Sequence, residues 1–125
     1  LRPQFQLTFA LPYGDIRIDG DLDFSSGDAV AAAFESLQIC GASRIRADLT
    51  GVTFVDAYGL GLLRGIQRRL MADDGYVEVV AASDRYIQVC RLAHYDTLLP
   101  ARAPVPPATI MSTAPLSTGR RTLSG

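Results

Sequence analysis

Ser43-Arg44-Ile45-Arg46-Ala47-Asp48-Leu49-Thr50-Gly51-Val52-Thr53-Phe54-Val55-Asp56-Ala57-Tyr58-Gly59-Leu60-Gly61-Leu62-Leu63 contains the junction on which the fold turns. Residues 43–49 alternate polar and apolar with the period of two that a half-buried strand shows, and residues 50–56 read as a connecting turn. From Ala57 the period lengthens. Leu60, Leu63, Ile66, Leu70 and Met71 fall on one stripe, and Arg64 and Arg68 on another, which predicts a helix over about 57–72. Asp73-Asp74-Gly75 ends it, and Tyr76-Val77-Glu78-Val79-Val80-Ala81-Ala82 reads as the next strand. Strand, helix, strand in that order needs a crossover, so the two strands are expected to be parallel and the connection right-handed.

Upstream, Phe5 to Leu11 alternates with period two, Pro12-Tyr13-Gly14-Asp15 breaks the pattern and Ile16-Arg17-Ile18 resumes it, which predicts an N-terminal hairpin. Ser25 and Ser26 offer an N-cap, with Asp28 in the first turn of a helix running to about Cys40. Val30, Ala33, Phe34, Leu37 and Cys40 share one face of it, and Gly41 ends it. Downstream, a third helix over 84–94 would bury Tyr86, Val89, Cys90 and Ala93, and Pro100 bars helix beyond Leu99. The expected fold class is α/β: one domain over residues 1–100 whose mixed sheet combines the hairpin with a parallel βαβ unit, helices packed on the sheet. Residues 101–125, rich in Ala, Pro, Ser and Thr, read as a flexible tail with accessible hydroxyls such as Ser112 and Thr113.

Composition narrows the function classes. No apolar run reaches the roughly 18 to 20 residues that cross a bilayer, and no basic-then-apolar leader begins the chain, so a cytoplasmic protein that does not engage membranes is expected. Every permanent cation is Arg. Up to Pro100 nine Arg face thirteen acidic residues, a balance that argues against nucleic acid as a partner. Cys40 and Cys90 fit no metal-ligand spacing; two buried thiols is the ordinary reading, and a redox disulfide is the alternative.

Residues 48–63, Asp48-Leu49-Thr50-Gly51-Val52-Thr53-Phe54-Val55-Asp56-Ala57-Tyr58-Gly59-Leu60-Gly61-Leu62-Leu63, resemble the signature of bacterial anti-sigma-factor antagonists of the STAS type, D-L-S-G-V-x-F-x-D-S-S-G-L-G. Gly20-Asp21-Leu22-Asp23 is similar to that family's G-E-L-D turn, and Leu92 to Pro100 to its closing L-x-x-L-x-x-L-F-P pattern. The resemblance implies a non-enzymatic regulator, without cofactor or metal, that binds an anti-sigma factor of the ATPase-kinase kind as a monomer or weak dimer. It implies a partner-binding surface of Asp23, Ser25, Ser26, Asp56, Ala57, Tyr58, Gly59, Leu60, Gly61 and Leu62. In the family the partner phosphorylates the first serine of D-S-S-G and is thereby released, because a phosphate adds up to about two negative charges to the contact surface.

The chain departs from the pattern at that serine. Ala57 stands at the phosphoacceptor position and has no oxygen to phosphorylate, while Tyr58 replaces the second serine with a hydroxyl far from its backbone. The reading is a serine-less antagonist, either constitutively competent to bind or controlled by the cysteines, a small ligand or expression level; relaxed constraint at this loop is the bland alternative. Tyr58 would then serve as an amphipathic anchor.

Other constellations are weaker. Gly59, Gly61 and Gly65 match no nucleotide-binding motif, and with no Lys in the chain a Walker loop is excluded; the glycines are expected to let the helix lie close to its sheet or partner. A ligand- or nucleotide-sensing scaffold, with an anion at the helix N-terminus, is the alternative function. Asp23 and Asp56 as an acid–base pair, and the single His94 as a catalytic group, lack oriented partners. Arg64, Arg68 and Arg69 read as a solvated face, with an acidic partner surface as the alternative.

Overall fold

The computed structural model describes residues 3–100. β1 (Gln4–Ala10) and β2 (Tyr13–Leu22) form the hairpin, α1 (Gly27–Ile39) follows a 3₁₀ turn (Phe24–Ser26), and β3 (Arg44–Val55), α2 (Ala57–Ala72) and β4 (Tyr76–Ala82) complete the crossover. α3 (Asp84–Leu92) and a second 3₁₀ turn (Asp96–Leu98) close the described chain. The sheet order is β1-β2-β3-β4, with β1 antiparallel to β2 and the other two pairings parallel. The expected α/β architecture with a hairpin and a parallel βαβ unit is what the chain adopts. The tail reading of residues 101–125, with its hydroxyls, lies outside the described residues.

One face of the sheet is apolar and packed under the helices: Ile16, Ile18 and Leu22 of β2, Ile45, Ala47 and Leu49 of β3, and Val77 and Val79 of β4 are buried in one cluster with side chains from all three helices. α2 contributes Leu60, Leu63, Ile66 and Leu70, each worth about 2 kcal/mol when removed from water. The other face carries Asp15, Arg17 and Asp19 of β2 and Arg46 and Asp48 of β3. Arg46 pairs with Asp15 at 2.7 Å, and Arg17 with Asp19 at 3.0 Å and Asp48 at 3.2 Å. Asp19, bonded to Arg17 and helped by Asp48, raises the Arg17 pKa. These pairs are two-fifths exposed, so each contributes at most about 1 kcal/mol.

Four expectations need correction. Residues 50–55 are not a turn: β3 runs on to Val55, pairing Gly51 with Asp19 and Val55 with Leu22 across two register shifts in the β2–β3 ladder. The serines do not cap α1, because Asp23 caps the preceding 3₁₀ turn and Ser26, at the N-cap position of α1, spends its hydroxyl on Asp23. Cys40 is exposed as the residue after α1, so only Cys90 is a buried thiol, and both are free. Met71 and Ala93 also face solvent, and in their place Gln67 and Ile87 are buried.

Candidate functional site

The site is built where β2 and β3 end side by side. Leu22 pairs with Val55, so the turn after β2 and the start of α2 leave the sheet together. Asp56 ties them: its backbone N–H donates to the Leu22 carbonyl (3.3 Å), one carboxylate oxygen accepts from the Gly59 N–H (2.8 Å) and the other from the Phe24 N–H (3.3 Å). One carboxylate therefore caps α2 and pins the 3₁₀ turn to it. Asp23 does the same within that turn. Its Oδ1 accepts from the Ser25 N–H (2.9 Å), the Ser25 hydroxyl (2.7 Å) and the Ser26 N–H (3.1 Å), while the Ser26 hydroxyl accepts from the Asp23 N–H (3.0 Å). The Ser25 hydroxyl, followed by the backbone donors, holds the Asp23 carboxyl below its ordinary pKa.

Gly59 is required here, since a Cβ on it would collide with the Leu22 carbonyl. Of the three glycines expected to let the helix lie close to its sheet or partner, Gly59 alone makes a close approach within the chain: a Cβ at Gly61 would meet only the Tyr95 hydroxyl at 3.8 Å, and one at Gly65 nothing within 4 Å. On this frame Ala57 is exposed, and Tyr58 is 46 % and Phe24 75 % exposed. The two rings meet edge to face with centroids 5.1 Å apart, and Tyr58 lies over Gly27, where a Cβ would stand 2.7 Å from its ring. Aromatic pairs prefer this geometry.

The structure thus brings Asp23, Ser25, Asp56, Ala57, Tyr58, Gly61 and Leu62 to one surface, with Leu62 half-buried. Ser26, Gly59 and Leu60 support that surface from the interior. Phe24 is the residue sequence reasoning left out of the site: it stands in step with Ile16, Ile18 and Leu22 and so reads as core-facing, whereas β2 ends at Leu22 and Phe24 is left exposed. Cys40 and Cys90 take no part in this surface. His94, exposed with φ 61°, follows α3 and faces no constellation. Among the described residues no group of three or more His, Cys, Asp or Glu is placed to hold a metal, and no helix is long and apolar enough to cross a membrane.

Comparison with known proteins agrees with this architecture. The sequence model of the STAS domain matches residues 8–107. No curated protein matches the chain. Among solved structures, the anti-sigma factor antagonist SpoIIAA in its unphosphorylated form is 22 % identical with a TM-score of 0.65, the match covering 79 % of this chain and 89 % of that one. An anti-sigma factor antagonist from Mycobacterium paratuberculosis is 18 % identical with a TM-score of 0.66, over 75 % of this chain and 80 % of that one. The Bacillus cell fate determinant SpoIIAA in its phosphorylated form is 24 % identical with a TM-score of 0.60, over 79 % and 92 %. These similarities show a shared fold, and the sequence model, which covers most of the chain, shows the family: this chain belongs to the STAS domain family.

Proposed function

We propose that this chain is an anti-sigma factor antagonist that binds an anti-sigma factor of the ATPase-kinase kind through the surface around Ala57, and that phosphorylation at this position does not switch it. The observation that carries the reading is the exposed Ala57–Tyr58 pair at the first turn of α2, braced by Asp56 and Phe24. The surface has the makings of an interface core: an amphipathic and an apolar ring, Tyr58 and Phe24, both exposed in the free chain on a frame fixed by capping hydrogen bonds. The alternative of an anion at the same helix end is disfavoured by Asp56, whose carboxylate already accepts from the Gly59 N–H and repels a second negative charge.

The test is binding to a purified ATPase-kinase anti-sigma factor from the same genome, by calorimetry and gel filtration. A one-to-one complex that survives addition of ATP, with no phosphate transferred to this chain, is the expected result. Absence of binding to every such kinase, or a complex that ATP dissolves through phosphorylation of this chain, defeats the proposal.

A further inference from the structure

We propose that the outer edge of β1 is a self-association surface through which two copies of this chain pair antiparallel, joining their sheets into one. Among the described residues β1 is the edge strand of the sheet and pairs on one side only. Its seven residues run in unbroken register against β2, from Gln4 opposite Asp19 to Ala10 opposite Tyr13, with no bulge, no charge and no proline. Natural sheets blunt such edges with charges, prolines, bulges or covering segments, because an open row of backbone N–H and C=O groups is a template for another strand. The opposite edge is managed in that way. β4 carries Glu78, the Gln67 amide donates to the Val77 carbonyl (3.3 Å), and Asp96, Thr97, Leu99 and Pro100 flank the strand across a cleft.

Apolar surface accompanies the open edge. Phe9 is 45 % and Leu11 59 % exposed at the end of β1, and Leu11 stands beside Gly41, just past the 78 % exposed Ile39 of α1. The occupant follows from the register. A two-fold axis beside Leu7 sets Leu7 against its own copy and Phe5 against Phe9 of the second copy, all on the helix-covered side, and Gln6 against Thr8 on the open side. Because Gln6 adjoins Arg17 and Thr8 adjoins Asp15 in the hairpin, each row across the junction then runs from a cation through two neutral polar groups to an anion. Centring the axis on Gln6 or Thr8 would instead align Arg17 with Arg17 or Asp15 with Asp15. Charge complementarity thus selects the Leu7 register, and a second copy of this chain satisfies it on both faces.

The surface shares no residue with the docking site, so its test is independent of the proposed function. Analytical ultracentrifugation of the full chain from about 1 µM to about 500 µM is expected to show the 13.4 kDa species giving way to one of twice that mass. The double variants Gln6→Lys/Thr8→Lys and Gln6→Glu/Thr8→Glu place like charges opposite each other and should each weaken dimerisation by roughly tenfold or more. Mixing the basic and acidic variants should restore a heterodimer in native mass spectrometry. Should either variant fail to fold, hydrogen exchange of the unaltered chain decides the matter: alternate β1 amides should gain protection as concentration rises. A chain that stays monomeric throughout, a dimer indifferent to both variants, a mixture that recovers nothing, or β1 amides whose exchange ignores concentration would overturn the proposal.

Discussion

Gly59 and Gly65 lie within two turns of one helix and obey opposite rules. At Gly59 a methyl group would be driven into the Leu22 carbonyl, which the closing of the sheet onto α2 leaves no room to move. Gly59→Ala should therefore cost about 3 kcal/mol, read as a lower urea midpoint. At Gly65 nothing stands within 4 Å, and the glycine only adds chain entropy to the unfolded state. Gly65→Ala should raise stability by about 1 kcal/mol in the same assay. The thiols divide in a similar way. Burial pushes the Cys90 thiol up, only partly offset by its contact with Tyr86, whereas Cys40 is exposed. Ellman's reagent should titrate one thiol in the native chain and the second only after unfolding, and Cys40→Ser should remove the fast one.

At the junction of β2, β3 and α2 the two aspartates act as caps, and each can be tested as one. Asp56→Ala leaves the Gly59 and Phe24 N–H groups without acceptors and should cost about 1 to 2 kcal/mol, seen as a lower melting temperature. Asp23 supplies a pH dependence of known sign: its folded-state pKa is lowered, so its contribution is complete above the unfolded value of about 3.9 and is lost as pH falls through the folded one. Carboxyl NMR of Asp23 should show titration below the ordinary range, moved back toward it by Ser25→Ala. These elements were unevenly legible in the sequence. The hairpin, the three helices and β4 carry a clear period, and Asp56 before an apolar stripe reads as a cap. The extension of β3 did not show because Asp48 accepts from the Thr50 N–H (3.0 Å) and hydroxyl (2.7 Å), a local turn motif, while the strand continues past it through a register shift. Gln67 was hidden for a different reason. It is polar on an apolar stripe, and beyond Arg64 on its own helix its partners, the Val77 and Thr97 carbonyls and the Thr97 hydroxyl, come from elements distant in sequence. The site's position could be located from the resemblance, but its braced aromatic pair required the fold, since Phe24 and Tyr58 meet only once β2 and α2 leave the sheet together.

Across the molecule, charge decides whether a switch could be restored. The proposed docking surface already carries Asp21, Asp23, Asp28 and Asp56 at or near it, and the Arg64, Arg68 and Arg69 cluster lies two turns and more along α2. A phosphate at position 57 would stand next to Asp56 at the first residue of α2, where the helix dipole offsets part of their repulsion by up to about 1 kcal/mol; at this exposed position the modified chain should stay folded. Its effect would fall on the proposed partner, because up to about two further negative charges would be added next to Asp56. Ala57→Ser adds only one oxygen at an exposed position and should leave stability within about 0.5 kcal/mol. With the kinase and ATP, that variant is expected to take up one phosphate and to lose at least roughly tenfold in affinity, while the unaltered chain keeps its complex. If Ala57→Ser binds and is never phosphorylated, then Tyr58, whose ring covers Gly27 and crowds the first turn of α2, is the element that bars the kinase, and Ala57→Ser/Tyr58→Ser should accept phosphate where the single variant does not.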